Sequence, residues 1–235
     1  SPTGQPVGAL YGLCLTLLNV LKTFKPTHTA AAFDRKEKTF RHAAYQGYKA
    51  TRKKADDALV AQIIRARDVF AAFGIPTIDR KGYEADDIIG TLAVAAQKAH
   101  VPTVIVTGDQ DTLQLVDTGT RVHMLRRGVK DTVTMGPEEV QERYGLRPSQ
   151  MVDYKALRGD PSDNVPGVRG IGEKTATERL KRHGTLDGVY AHLDELPPAV
   201  RDKLAKGGTE ARLSRELVTI HRAVPLRQGV SDLVF

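Results

Sequence analysis

Along residues 7–24 the apolar positions Val7, Leu10, Leu13, Cys14, Leu17, Leu18, Leu21 and Phe24 recur at intervals of three and four. That spacing puts them on one face of a helix, and Pro26 ends it. The five residues before it, Ser1 to Gln5, are polar and turn-like. Thr29-Ala30-Ala31-Ala32-Phe33 reads as a short buried strand that runs into Asp34. Asp56-Asp57 open a second helix, which carries Ile63, Ile64, Val69, Phe70 and Phe73 and stops at Gly74. Ile75-Pro76-Thr77-Ile78 predicts another short strand. Ile88, Ile89, Leu92 and Val94-Ala95-Ala96 then repeat at helical spacing to about Ala99. Thr103-Val104-Ile105-Val106-Thr107 is β-branched without alternation, the pattern of a parallel strand covered on both faces. Val122–Leu125 and Thr132–Thr134 predict a hairpin near a sheet edge. Strands alternating with long helices imply an α/β fold with right-handed crossovers. From about Arg143 the pattern changes to helices with Gly-rich joints: Gln150–Leu157, one opening near Gly172, Thr185–His192, Pro198–Ala205 and Glu210–His221. Two regions are therefore expected, 1–142 and 143–235.

Composition narrows the picture. The 235 residues are 40% hydrophobic, enough to bury a proper core. The single Cys14 sits in an apolar run and reads as a small core residue, so no internal disulfide forms and a reducing, cytoplasmic setting is expected. No apolar run is long enough to span a bilayer, and the seven His residues lack ligand spacing. The formal charge is +7, and its source is local. Residues 35–54 hold Arg35, Lys36, Lys38, Arg41, Lys49, Arg52, Lys53 and Lys54 against Glu37 alone, a net of +7 in one segment. Phe40, Tyr45 and Tyr48 are interleaved with these charges. A solvated loop can look like this. Cations for phosphates with rings for bases also describe an element that grips a nucleic-acid strand.

The acidic residues fall at a different kind of place. In α/β sheets, ligands bind beyond the carboxyl ends of the strands. Asp34 follows one strand, Glu84, Asp86 and Asp87 follow a second, and Asp109 and Asp111 follow a third. Six carboxylates at one edge repel unless cations lie between them, and hard divalent ions such as Mg²⁺ are the natural solution. Asp160 and Asp163 are three residues apart in Arg158-Gly159-Asp160-Pro161-Ser162-Asp163-Asn164, either as a pair of ligands or as an Asx-turn loop. Gly167-Val168-Arg169-Gly170-Ile171-Gly172-Glu173-Lys174-Thr175 opens a helix. Glu173 breaks the P-loop pattern. The glycines still suit backbone amides approaching a phosphate at a helix start, with Lys174 as a point charge, and they equally suit a tight turn between helices.

Seven strings in order carry a resemblance: Phe33-Asp34, Thr39-Phe40-Arg41, Tyr48-Lys49, Gly82-Tyr83-Glu84-Ala85-Asp86-Asp87, Thr107-Gly108-Asp109-Gln110-Asp111, Gly159–Gly167 and Gly170–Ala176. Together they resemble the 5′ nuclease domain of bacterial DNA polymerase I and its flap-endonuclease relatives over nearly the whole chain. The resemblance implies a PIN-like parallel-sheet α/β nuclease core, a basic arch at about 35–54, and a helical, SAM-fold-like C-terminal region with a helix–two-turn–helix at about 159–182. It implies structure-specific hydrolysis of DNA near single-strand/duplex junctions in replication and repair. Two Mg²⁺ or Mn²⁺ ions would be held among Asp34, Glu84, Asp86, Asp87, Asp109, Asp111, Asp160 and Asp163. Lys49 and Arg41 would act on the scissile phosphate. Arg35, Tyr45, Arg52, Lys53, Lys54, Gly170, Gly172, Lys174 and Thr175 would contact DNA, and a K⁺ ion would sit on backbone carbonyls of the helix–two-turn–helix. The partners implied are flapped, nicked or branched DNA and a covalently linked polymerase domain, with the protein otherwise a monomer.

The chain departs from the family pattern in three ways. The usual first strand, ending in a ligand Asp, precedes the residues present, and the chain stops at Phe235, short of the usual end. No proline follows soon after Arg52, in Arg52-Lys53-Lys54-Ala55-Asp56, which predicts that the arch continues as helix. Two other readings stay open: a structure-specific DNA-binding module with little catalysis, and a PIN-type ribonuclease, which would not need Gly167–Ala176.

Overall fold

The computed structural model describes residues 4, 6–126 and 131–235. The turn-like reading of residues 1–5 lies mostly outside these. Helix α1 spans Gly8–Phe24 and strand β1 Ala31–Ala32, followed by a short helix α2, Phe40–Ala44. Helix α3, Asp57–Ala72, starts where Asp56 accepts the amide of Leu59 at 2.6 Å, as a capping carboxylate should. Strand β2 is Thr77–Ile78, α4 is Ala85–Lys98 and β3 is Thr103–Thr107. Strands β4, Thr120–Leu125, and β5, Thr132–Met135, form the expected hairpin. Helix α5, Pro137–Tyr144, closes the first region, and the C-terminal region is helical: α6 Met151–Arg158, α7 Glu173–His183, α8 Leu186–Ala191, α9 Pro198–Lys206 and α10 Gly208–Val218.

The parallel pairing comes in two pieces. β1 pairs parallel with β2, with Ala31 opposite Thr77, and β3 pairs parallel with β4, with Thr103 opposite Thr120. β4 pairs antiparallel with β5. Helix α4 packs against both β1 and β3 and holds the two sheets in one body. The largest apolar cluster runs from Ile105, Val122 and Met124 through Tyr154 and Leu157 to Leu180 and Leu204. The sheet of β3–β5 and the C-terminal helices therefore share a core, and neither buries its apolar face alone.

Four expectations are corrected. The arch does not continue as helix. After α2 come turns and an extended stretch up to Asp56, where the cap restarts the helix and three successive cations, Arg52-Lys53-Lys54, stay exposed. α5 was not foreseen, although Pro137 at its first position, followed by Glu138 and Glu139, is a start signal. α10 ends at Val218, three residues early, because the backbone N–H of His221 is drawn onto Asp87 Oδ1 at 2.8 Å. The single sheet is divided, because β1 and β2 pair over only two residues and α4 supplies the contact between the halves.

A buried ion pair in the first region is bonded to the end of α10 in the second. Arg41 in α2 is 2% exposed and Asp87 in α4 is 0% exposed. The guanidinium donates to both Asp87 oxygens, Nη1 to Oδ2 at 2.8 Å and Nη2 to Oδ1 at 2.7 Å. Its remaining donors reach the carbonyls of Leu217 and Thr219 at 2.8 and 2.9 Å, which the end of α10 leaves unpaired. Asp87 also accepts the amide of Glu84 at 3.0 Å. Every group is satisfied, the condition under which a buried pair is tolerable. Burial alone would raise the Asp87 pKa. The hydrogen bonds and charge of Arg41, with the amides of Glu84 and His221, outweigh it and hold this carboxyl below its ordinary range.

Arg41→Met should lower the unfolding free energy by about 3–5 kcal/mol, since it strands a buried carboxylate. In the variant burial is opposed only by the amides of Glu84 and His221, and the Asp87 pKa rises from its wild-type position. The deficit against wild type should then be largest at neutral pH and shrink as the pH falls and Asp87 takes up a proton. Urea unfolding at several pH values checks this, and a small, pH-independent deficit would contradict it. Gly159 and Gly167 face each other at φ +78° and +59°, and a Cβ on Gly167 would run into the backbone of Gly159. Gly167→Ala should cost about 3 kcal/mol or more. Gly172→Ala, with open space around it, should stay within about 1 kcal/mol in the same measurement.

Candidate metal and DNA site

The carboxyl ends of the strands deliver the acids as connectivity requires. Asp34 follows β1 and accepts the amide of Ala85, in the first turn of α4, at 2.8 Å. Glu84 precedes α4, and Asp86 lies in its first turn. Asp109 follows β3 and accepts the amide of Asp111 at 2.9 Å. Asp160 and Asp163 come from the loop between α6 and α7. There Asn164 takes a left-handed conformation, φ +56°. Asp160 accepts both the amide and the hydroxyl of Ser162, at 2.9 and 2.6 Å, an Asx-type turn.

The acids divide by what faces them. Glu84, Asp111, Asp160 and Asp163 are paired with cations. Lys49 Nζ lies 2.9 Å from Glu84 Oε1 and 3.8 Å from Asp163 Oδ2. Arg52 donates to Asp163 Oδ1, from Nε at 3.0 Å and also from Nη2. Lys155 stands between Asp160, 2.7 Å away, and Asp111. The Tyr48 hydroxyl donates to Glu84 Oε2 at 3.0 Å and to Asp163 Oδ2 at 3.2 Å, and the Lys49 amide donates to the Asp163 carbonyl at 2.9 Å. The base of the basic segment is thereby docked on the loop that carries Asp160 and Asp163.

Asp34, Asp86 and Asp109 have no side-chain cation bonded to them among the described residues. The electrostatic consequence is visible. Burial first, and then the charges of Asp109, Asp34 and Glu84, push the Asp86 pKa up to about 7. Desolvation, with Asp163 and Asp160 nearby, also raises Asp109, against the opposing charges of Lys155 and Lys49. Asp160 goes the other way. Burial would raise it, but the charge and hydrogen bond of Lys155 hold it at about 2. Among the described residues no three acid or His side chains converge into a closed ion cage. The crowding around Asp86 is nevertheless what a divalent cation would relieve, and an all-carboxylate donor set fits a hard ion.

Two expected roles are corrected. Arg41 does not face a phosphate, because its guanidinium is buried, bonded to Asp87 and to the carbonyls of Leu217 and Thr219, with Glu84 3.4 Å from Nη1. Asp87 does not offer an oxygen to an ion or its waters, because Arg41 and two backbone amides saturate it. Of the residues expected to contact DNA, Lys53, Lys54, Gly170, Gly172 and Lys174 are exposed and Thr175 is half-buried. Arg35 is exposed but paired with Glu37 and Asp79, each at 2.9 Å. Arg52 is committed to Asp163. Tyr45 packs with Tyr48 against Val165, Leu217 and Val218 instead of facing solvent. Lys155 and Asn164, which donates to the Gly47 carbonyl at 2.7 Å, drew no attention in the sequence. Nothing in the string Asp153-Tyr154-Lys155 marks the lysine out, since only the turn of α6 aims it at the acids.

Residues 1–145 match the model of the 5′-3′ exonuclease N-terminal resolvase-like domain, and residues 146–235 that of the 5′-3′ exonuclease C-terminal SAM fold. DNA polymerase I of Caldicellulosiruptor bescii is 42% identical over 97% of this chain, and that of Bacillus caldotenax 39% over 99%. The chain spans only about a quarter of the length of these relatives, 27% in both cases. Among solved structures, T5 5′-exonuclease with bound zinc ions superposes with a TM-score of 0.75 at 20% identity, over 93% of this chain and 83% of that one. The catalytic core of Rad2 in complex with DNA gives 0.56 at 19% identity, over 95% and 75%. No helix among the described residues is long and apolar enough to cross a membrane. With both halves matched, the chain belongs to the 5′-3′ exonuclease family, as the 5′ nuclease region found in DNA polymerase I.

Proposed function

We propose that this chain hydrolyses DNA phosphodiester bonds near the junction of single strand and duplex, on 5′ flaps or nicks. The observation that carries the reading is the group Asp34, Asp86 and Asp109, left without a bonded cation beside the basic segment 35–54. Asp34, Asp86 and Asp109 would hold one Mg²⁺ or Mn²⁺. Asp111, Asp160 and Asp163 would hold a second, in place of Lys155 and Arg52. Two such ions supply an activated water and stabilise the departing 3′ oxygen. The chain's own contribution is positioning and charge. Glu84, held between Tyr48 and Lys49, fixes the edge of the cleft. Lys49, partly exposed and 2.9 Å from Glu84, would turn from that acid to a scissile phosphate. Products would carry a 5′-phosphate and a 3′-hydroxyl.

Duplex would lie along the C-terminal region, where Gly170, Gly172 and Lys174 are exposed at the start of α7 and backbone amides point outward. A K⁺ ion on the carbonyls of this turn belongs to the same reading, with Lys203 as its competitor, since its Nζ lies 3.2 Å from the Gly170 carbonyl. The length of the relatives supports a linked polymerase domain in the parent protein, working on DNA in the cytoplasm.

Asp109→Asn should cut cleavage of a 5′-flap duplex in Mg²⁺ by at least about a hundredfold, while junction binding in a gel-shift assay survives. Normal turnover by that variant would contradict the assignment. Binding without any product by the unaltered chain, even in Mn²⁺, would favour a binding module.

A further inference from the structure

Three aromatic rings meet at the surface beside the acidic cleft. Phe40 and Tyr83 lie with ring centroids 6.1 Å apart, Phe40 and His221 at 6.3 Å, and Tyr83 and His221 at 5.4 Å. They come from three separate parts of the chain: the start of α2, the residue before Glu84, and the segment after α10. Phe40 is 36% exposed, His221 is exposed and Tyr83 half-buried. Single exposed apolar residues are ordinary, but three rings in mutual contact are a patch and ask for an occupant.

The patch is held from beneath. The Arg41 guanidinium lies 4.5 Å from the Phe40 ring centre, and the His221 amide is bonded to Asp87. The Phe40 ring and the His221 backbone therefore rest on the buried ion pair. The patch is also placed at the chemistry. Tyr83 lines a cleft of about 220 Å³ together with Asp34, Glu84, Lys49 and Arg52. Beyond it, Lys36 and Lys38 add positive charge at the same rim. A polyanion drawn to that rim would bring its bases within reach of the rings.

We infer that Phe40, Tyr83 and His221 form a stacking shelf for an unpaired nucleobase next to the scissile phosphate. This rests on the nuclease reading above and adds to it the subsite that takes the base. Stacking on a π-face tolerates any base, which suits a chain with no element shaped to read base edges. The rings would hold the nucleotide while Lys49 meets its phosphate. The shelf also separates the roles of the aromatic residues in the basic segment. Tyr48 is spent on Glu84 and Asp163, Tyr45 on the apolar cluster, and Phe40 alone is left to face a ligand.

The test uses a 5′-flap duplex with 2-aminopurine at the unpaired nucleotide beside the junction, and the same duplex with an abasic site there, bound in EDTA. The unaltered chain should quench the 2-aminopurine and bind the intact flap about tenfold or more tighter than the abasic one. Phe40→Leu and Tyr83→Leu keep apolar cover over Arg41 and Asp87 but remove a ring. Each should abolish the quenching and bind both substrates equally, at the level of the unaltered chain on the abasic flap. Equal losses on both substrates, or quenching that survives both variants, would overturn the shelf and leave the rings as a cover for the ion pair. Failure of the unaltered chain to cleave the flap in Mg²⁺ would overturn the nuclease reading and the shelf with it, which is a different result.

Discussion

Carboxylates brought to one edge by chain connectivity cannot all be charged without cations, and this repulsion governs the molecule. The structure meets it in two ways. On one side Lys49, Arg52 and Lys155 sit on Glu84, Asp163, Asp111 and Asp160, and the pairing with Lys155 holds Asp160 at about 2. On the other side, among the described residues, Asp34, Asp86 and Asp109 have no cation bonded to them, and burial with the neighbouring acids drives Asp86 to about 7. A core that needed only stability would not keep such a group. The proposed ion site would account for it.

The same acids are coupled to the rest of the fold through Arg41 and Asp87. That pair ties α2, the start of α4 and the end of α10 at one point, with four hydrogen bonds from one guanidinium. It sets where Glu84 begins α4, and it lays Phe40 and His221 over itself. Asn164 and Asp163 dock the base of the basic segment on the helical region in the same way. The base of the basic segment and the helical region therefore share one connected set of side chains.

Much of this was legible in the chain. The β-branched run at Thr103–Thr107 and the acids after three strands carry local signals, and the structure puts them on a parallel strand and beyond the strand ends. The strand is less covered than its pattern implied, with Val104 37% exposed. Arg41 and Asp87 were misread because their types and neighbours match catalytic ones. What decides their role is burial and a partner 46 residues away, which no local pattern encodes. Lys155 and His221 were silent for the same reason. The expected helical arch failed because the absence of proline permits a helix without supplying what stabilises one: the stretch has three successive exposed cations and no apolar face to bury. The C-terminus of α10 was overrun because Asp87 competes for the backbone there.

The most direct measurement is a ¹³C NMR titration of the Asp86 carboxyl, assigned with Asp86→Asn, with and without Mg²⁺. Without the ion this carboxyl should titrate near 7. With saturating Mg²⁺ its titration should move down, to or below the ordinary carboxylate range, because the bound cation favours the charged form. A carboxyl that titrates at the same pH in both conditions would contradict the claim that these crowded acids form a metal site.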